Sequence, residues 1–217
     1  MALAELALAV FGFSAAASWT PGPNTMMLAA SGANFGFRRS LPHQLGILVG
    51  CAALLTLALA GVGAALTARP DLRLVLQICG AAWLLWLAWR IATAAPALDT
   101  EAGETAEGET AGETAEGRPL TLVEAAGFQF MNPKAWAVTL GAASTFMDPS
   151  LGPEVAGVTI VLVFTLAAAI GCPMWVFFGI GIRRLLHSRR RLRVFNMTMG
   201  ALLAASVLLI LDVPLPW

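Results

Sequence analysis

Two short stretches carry the residue types that can do chemistry: Thr20-Pro21-Gly22-Pro23-Asn24 and, in the second half of the chain, Asn132-Pro133-Lys134. Both interrupt long apolar segments. Proline lacks an N–H and clashes with the carbonyl one turn back, so an unbroken helix does not hold it without cost. At membrane depth the freed backbone groups persist only where they are buried in protein or line a wet cavity. In the second stretch asparagine is a strong N-cap and proline is favoured at the first helical position. A helix is therefore expected to start at Pro133, with its free N–H groups and positive dipole end beside the Lys134 ammonium. A lysine within a span costs about 2.5–3.5 kcal/mol to insert and so faces a cavity or a partner. Lys134 lies roughly 21–24 Å at helical rise beyond Gly117–Pro119, which favours depth over snorkelling to the interface.

In the first stretch Thr20 is expected to cap, Pro21 to take the first helical position and Gly22 to admit close approach of a ligand or backbone. Pro21 and Pro23 remove two donors and leave carbonyls near Ala17 and Trp19 without helical partners. Asn24 offers both a donor and an acceptor. Together these groups suit an amino-acid zwitterion, the carboxylate at the helix starts and Lys134, the ammonium at the freed carbonyls. The candidate substrate-binding residues are thus Thr20, Pro21, Gly22, Pro23, Asn24, Asn132, Pro133 and Lys134. A kink that only shapes packing is the plainer reading of either break alone; two breaks at corresponding places weigh against it.

The remaining signals point to less. Glu124 is the one acid near the second break, as well suited to a solvated helix start as to carrying a proton. His43, beside Arg38 and Arg39, reads as an interfacial residue before a proton relay. Cys51, Cys79 and Cys172 form no CxxC and read as buried free thiols. The Gly32/Gly36 and Gly46/Gly50 spacings allow close helix approach, within the chain before between chains. There is no HExxH, no Gly-rich phosphate loop and no His/Asp/Glu cluster within the spans, so hydrolysis, metal chemistry and ATP use have no support, and no cofactor is implied.

The elements that must position these residues are membrane helices. The chain has 217 residues, 58% hydrophobic and only 12% charged, about half the charged share of a soluble domain. Its formal net charge is zero, which gives no sign of nucleic-acid binding. Six spans of about 20 apolar residues are expected: a first, uncleaved one over 2–18 continuing past its break as 24–37, then 41–66, 72–94, 120–147 with its break at Asn132-Pro133, 155–182 with a kink at Pro173, and 194–211. Between the third and fourth, residues 99–117 form a Glu/Thr/Ala/Gly tract with too little apolar surface to fold, a disordered linker. The fold class is therefore all-α integral membrane, as two three-helix repeats over 1–95 and 120–217 around a 96–119 linker, first and fourth helices broken at proline. An odd number of spans per repeat turns the second copy upside down. With both termini outside, Arg38, Arg39, Arg90, Arg118 and the six arginines between 183 and 193 fall on the cytoplasmic side.

At these residues the chain resembles the LysE/RhtB family of amino-acid exporters. The matching stretches are TPGPN at 20–24, GFRRS at 36–40, GAAWLLWLAW at 80–89 and FQFMNPKAW at 128–136, in both halves and in the family's order. The resemblance implies an exporter of amino acids or their derivatives in the bacterial cytoplasmic membrane, driven by proton exchange, and it admits a homodimer. Some members, including exporters of basic amino acids, carry an aspartate near the position of Cys51, and Cys51 there weakens the case for basic amino acids. The pattern as a whole looks most like the branch that includes cysteine/O-acetylserine and homoserine-type exporters. The family's usual Gly-Ala-Ala-Tyr is Gly80-Ala81-Ala82-Trp83 here. A small-neutral-amino-acid exporter is the leading expectation. A divalent-cation transporter would need acids or histidines deep in the spans, and a membrane thiol redox protein would need its cysteines.

Overall fold

The computed structural model describes residues 2–62, 68–94, 118–185 and 188–212. Among them every regular element is helical: α1 (Leu3–Trp19), α2 (Pro23–Arg39), α3 (Leu41–Leu59), α4 (Pro70–Ala92), α5 (Leu122–Met131), α6 (Pro133–Phe146), a 3₁₀ turn at Pro149–Leu151, α7 (Pro153–Leu185) and α8 (Arg189–Asp212). The 96–119 linker lies outside the described residues except for Arg118 and Pro119, as does the chain end at Trp217.

The distribution of polarity is that of a membrane protein. Ser14, His43, Gln44, Gln129, Asn132, Thr139 and Asn196 are buried inside, while Val158, Leu162, Leu166 and Ile170 of α7 are exposed at helical spacing on its outer face. By length and apolarity α3 and α7 can each cross a bilayer, and α1 with α2 makes a third candidate, bent by 61° at the break. Such a bend is what a proline-bearing interruption produces when the freed groups find other partners.

The helices pair across the two halves of the sequence. The broken pair α1/α2 packs on α7, the broken pair α5/α6 packs on α3, and α4 packs on α8. Glycines allow these contacts. A Cβ at Gly50 would stand 2.6 Å from the Ala126 carbonyl oxygen, and one at Gly46 would strike the Leu122 carbonyl. Gly32 is pressed likewise against Val176 of α7. The close approaches expected of these three therefore form within the chain. Gly36 does something else: its φ of 73° kinks α2 and nothing lies within 4 Å of its missing side chain.

Several boundaries depart from expectation. The second span stops at Leu59 rather than residue 66, with a turn through Gly61 at φ 89°. Residues 63–67 lie outside the described set. Helix α7 continues through Pro173 for 33 residues, a proline whose missing donor does not end the helix. The basic stretch is not a loop throughout: Arg183 and Arg184 close α7, and Arg189, Arg190, Arg191 and Arg193 open α8.

Candidate functional site

The second break forms as its sequence predicts. Asn132 takes an extended conformation (φ −90°, ψ 106°) and its side-chain oxygen accepts from the Lys134 N–H at 3.1 Å, so α6 starts at Pro133. The first break differs in register. Thr20 does not cap the following helix; it closes α1, its hydroxyl donating back to the Ala16 and Ala17 carbonyls at 2.8 and 3.1 Å. Pro23, not Pro21, holds the first position of α2, and Gly22 is its N-cap. Thr25 supplies the capping that glycine cannot, its hydroxyl accepting from the Gly22 N–H and donating to the Gly22 carbonyl, both at 2.8 Å. The shift follows from proline chemistry: two prolines bracket Gly22, and the later one opens an uninterrupted run.

The two breaks meet. The Lys134 ammonium donates to the Thr20 carbonyl at 2.6 Å and to the Pro21 carbonyl at 3.3 Å. The carbonyls freed by the first interruption are thus taken up by the lysine of the second. A third, that of Ser18, accepts from the Trp175 indole at 2.9 Å. Gly22 is where the lysine stem passes, since a Cβ there would lie 2.8 Å from Lys134 Cδ and 3.1 Å from Nζ. Among the described residues no carboxylate neutralises this half-buried ammonium.

Below the crossing lies a cavity of about 80 Å³. Gly22, Asn24, Asn132 and Lys134 line it, together with Thr25, Cys51 and Cys172. Of the other sequence candidates, Thr20 and Pro21 contribute carbonyls to Lys134, while Pro23 and Pro133 set the two helix starts. The cavity therefore faces two helix N-termini and one ammonium, a positive potential walled by Leu28, Ile47, Val138 and Phe164. The first four N–H groups of a helix have no partner within it, so both starts can donate to an anion.

Besides Thr25 and Trp175, the site rests on a residue that is not among the candidates. Gln129, fully buried, exchanges amide hydrogen bonds with Asn24 (2.8 and 3.1 Å), donates to the Ala125 carbonyl at 2.9 Å and accepts from Cys51 Sγ at 3.6 Å. It fixes Asn24 on the cavity wall and ties α2 to α5. Its signal was a glutamine one turn before Asn132 in an otherwise apolar run. The thiols divide as well: Cys172 is buried and Cys51 half-buried on the cavity wall, whereas Cys79 is exposed on the outer face of α4, contrary to the buried thiol expected there.

Glu124 has a structural post. It completes a capping box with Thr121 and forms a bidentate ion pair with Arg118 at 2.7 and 2.6 Å. Among the described residues no three His, Cys, Asp or Glu side chains are grouped to hold a metal ion.

Residues 15–211 match the family model for the LysE type translocator. The chain belongs to the LysE-type translocator family. The LysE match spans both breaks and all eight helices in whole or part. The chain is similar to the cysteine/O-acetylserine efflux protein of Klebsiella pneumoniae subsp. pneumoniae, 33% identical over 76% of this chain and 78% of that protein. It is 32% identical to the protein of that name from Salmonella choleraesuis (74% and 75% covered) and 28% identical to that of Escherichia coli K12 (85% and 86%). No solved structure matches. As a LysE-type translocator with apolar outward faces, the chain is a multi-pass membrane transporter and not an enzyme.

Proposed function

We propose that the chain exports small neutral amino acids or their derivatives across the bacterial cytoplasmic membrane, with the cavity between the two breaks as the substrate site. The observation that carries this reading is the Lys134 ammonium, seated on two main-chain carbonyls at the mouth of a cavity with two helix starts and, among the described residues, no neutralising acid. A substrate carboxylate is drawn to Lys134 and the helix N-termini. Its ammonium takes over the Thr20 and Pro21 carbonyls that the lysine now holds. On the scale where one water needs about 10–15 Å³, the 80 Å³ cavity has room for about six waters. That suits a small side chain, and the thiol-lined wall accords with the efflux proteins for cysteine and O-acetylserine among the relatives.

The exchange packing, each broken pair resting on the second helix of the other half, supports six crossings arranged as two inverted three-helix repeats. Direction supports it too. Gly46 faces Leu122 and Ala125 while Gly50 faces Ala126 and Gln129, so α3 and α5 run the same way. An inverted second repeat requires that. Arg90 donates to the Arg118 carbonyl at 3.3 Å, placing the linker end of α4 and α5 in one basic region, which positive-residue bias assigns to the cytoplasm with both termini outside. Uphill export of a zwitterion needs a coupled gradient, and proton exchange supplies one.

The test is accumulation of labelled amino acids, cysteine and O-acetylserine included, in cells with and without the chain. Expression should lower the internal level of the cargo, and Lys134→Ala should restore it while the protein still reaches the membrane. Full export by Lys134→Ala would remove the site assignment.

A further inference from the structure

A second cavity of about 60 Å³ lies at the linker end of the bundle, lined by Ser31, Asn34, His43, Arg90 and Arg118 among others. His43 is 1% exposed, yet neither of its ring nitrogens has a hydrogen-bond partner. A buried neutral imidazole needs both an acceptor for its N–H and a donor for its bare nitrogen, and leaving them unmet costs a few kcal/mol. The cavity removes that cost if it holds water, for which its volume is ample.

Its position links it to the first cavity. His43, Ile47 and Cys51 stand at i, i+4 and i+8 on one face of α3. Ile47 and Cys51 line the substrate cavity and His43 the second one, about 6 Å from Ile47 and about 12 Å from Cys51 along the helix axis. Helix α2 walls both, through Thr25 and Leu28 in one and Met27, Ser31 and Asn34 in the other. Any movement of α2 against α3 that opens the substrate cavity changes the surroundings of His43 at the same time.

The other charged groups here are committed. Glu124 of α5, near enough to interact electrostatically with His43, is held by Arg118. Arg90 of α4 stacks on Trp86 with its guanidinium carbon 4.9 Å from the ring centroid and donates to the Arg118 carbonyl. Ser31 and Asn34 of α2 face the same space without titrating, bonded to Ser40 and Asn196 respectively; Arg38 and Arg39 end that helix. An imidazole is the side chain whose ordinary titration falls at physiological pH, and here it lines a cavity with room for water and has no competing bond.

We propose that His43 and its hydrated cavity form the proton-loading site that couples export to the proton gradient. With the substrate discharged outward, a hydronium of the outer water, admitted through the emptied substrate cavity, gives up a proton to an imidazole nitrogen lone pair: an N–H bond forms as the O–H bond breaks. In the reverse movement the N–H bond breaks and the proton passes to water on the cytoplasmic side. The interfacial role expected of His43 gives way to a buried one. This inference rests on the export reading of the first cavity.

The experiment uses the purified chain in liposomes with [³⁵S]cysteine kept reduced. Two fluxes are measured: exchange of labelled for unlabelled cysteine at equal pH, and accumulation driven by an imposed pH difference. His43→Gln should keep exchange within about three-fold, lose accumulation ten-fold or more, and flatten the pH profile of exchange. Gradient-driven accumulation within two-fold of the unsubstituted chain would overturn the proposal. Loss of both fluxes in His43→Gln and His43→Asn alike, in protein that still folds, would make the residue structural and overturn it too. If the unsubstituted chain exchanges none of the amino acids of the export panel, the substrate-site reading fails first, which is a distinct result. A readout independent of transport comes from the sequence, which has only two histidines. Ring ¹⁵N resonances should show one imidazole whose titration midpoint shifts with bound cysteine and which vanishes in His43→Gln. A His43 ring with no titration between pH 4 and 9 would refute the assignment.

Discussion

Gly22→Ala isolates the contact between the two breaks. The backbone there is extended (φ 179°, ψ −177°), so alanine fits without conformational strain. The new methyl carbon would stand 2.8 Å from Lys134 Cδ and 3.1 Å from Nζ, closer than carbon atoms pack. The lysine stem is flexible and yields, but in yielding it leaves the Thr20 carbonyl, now 2.6 Å from its ammonium. A hydrogen bond from a charged donor is worth about 1.5–3 kcal/mol, and about 1.4 kcal/mol is ten-fold in an equilibrium constant. An ammonium displaced in this way no longer meets the substrate carboxylate, and losing one such bond should lower export by roughly 10–150-fold at subsaturating substrate. Global stability should fall by no more than the displaced contact is worth, about 1.5–3 kcal/mol, because alanine's poorer N-capping and its loss of unfolded-state freedom oppose one another at about 1 kcal/mol or less. Export is read from labelled substrate efflux in cells, stability from the thermal midpoint of purified protein in detergent. On a Lys134→Ala background there is nothing for the methyl group to displace, so Gly22→Ala should be more favourable to Tm there than in the unsubstituted chain. Export within two-fold of normal by Gly22→Ala, or an identical Tm change on both backgrounds, would refute the reasoning.

Gln129→Leu strands the Asn24 amide inside the bundle and should cost about 1–3 kcal/mol, seen as a lower Tm; a Tm unchanged by the substitution would show that the amide pair does not fix α2 on α5. Gly50→Ala drives a methyl group to 2.6 Å from the Ala126 carbonyl oxygen and should destabilise by about 1–3 kcal/mol through overpacking, again read as Tm, with neutrality the refuting result. Replacing Cys51, Cys79 and Cys172 together with alanine should leave export within a few-fold, since Cys51 makes one long contact at 3.6 Å; abolished export in that triple variant would revive a thiol redox role. Cys172→Phe, by contrast, fills the cavity and should block efflux while the protein reaches the membrane normally.

What could be read in the residues and what could not divide along physical lines. The break at Asn132-Pro133 was legible because capping is local: a side chain two residues from the N–H it accepts needs no tertiary partner. The first break was misplaced by two residues because Pro21 and Pro23 are equally good openers, and Lys134, distant in sequence, holds the carbonyls between them. Gln129 escaped, and His43 was expected at the interface rather than inside, because a polar side chain in an apolar run looks the same whether it meets a partner, water or lipid headgroups. Only the Asn24–Gln129 amide pair between α2 and α5, and the space beside His43, separates those cases. Helix ends followed similar limits, the apolar run past Leu59 giving no warning of the turn at Gly61.

The exchange of packing between halves bears on how the molecule is made. The α1/α2 pair finds its bearing surface on α7, which emerges from the ribosome only after the Glu-rich tract, and α3 waits for α5 and α6. Until then a nascent first half lacks Gln129, Lys134 and Trp175, the partners of Asn24 and of the carbonyls at the proline break. Two genes cut between residues 99 and 117 and expressed together should rebuild a working exporter, while either fragment alone should be degraded.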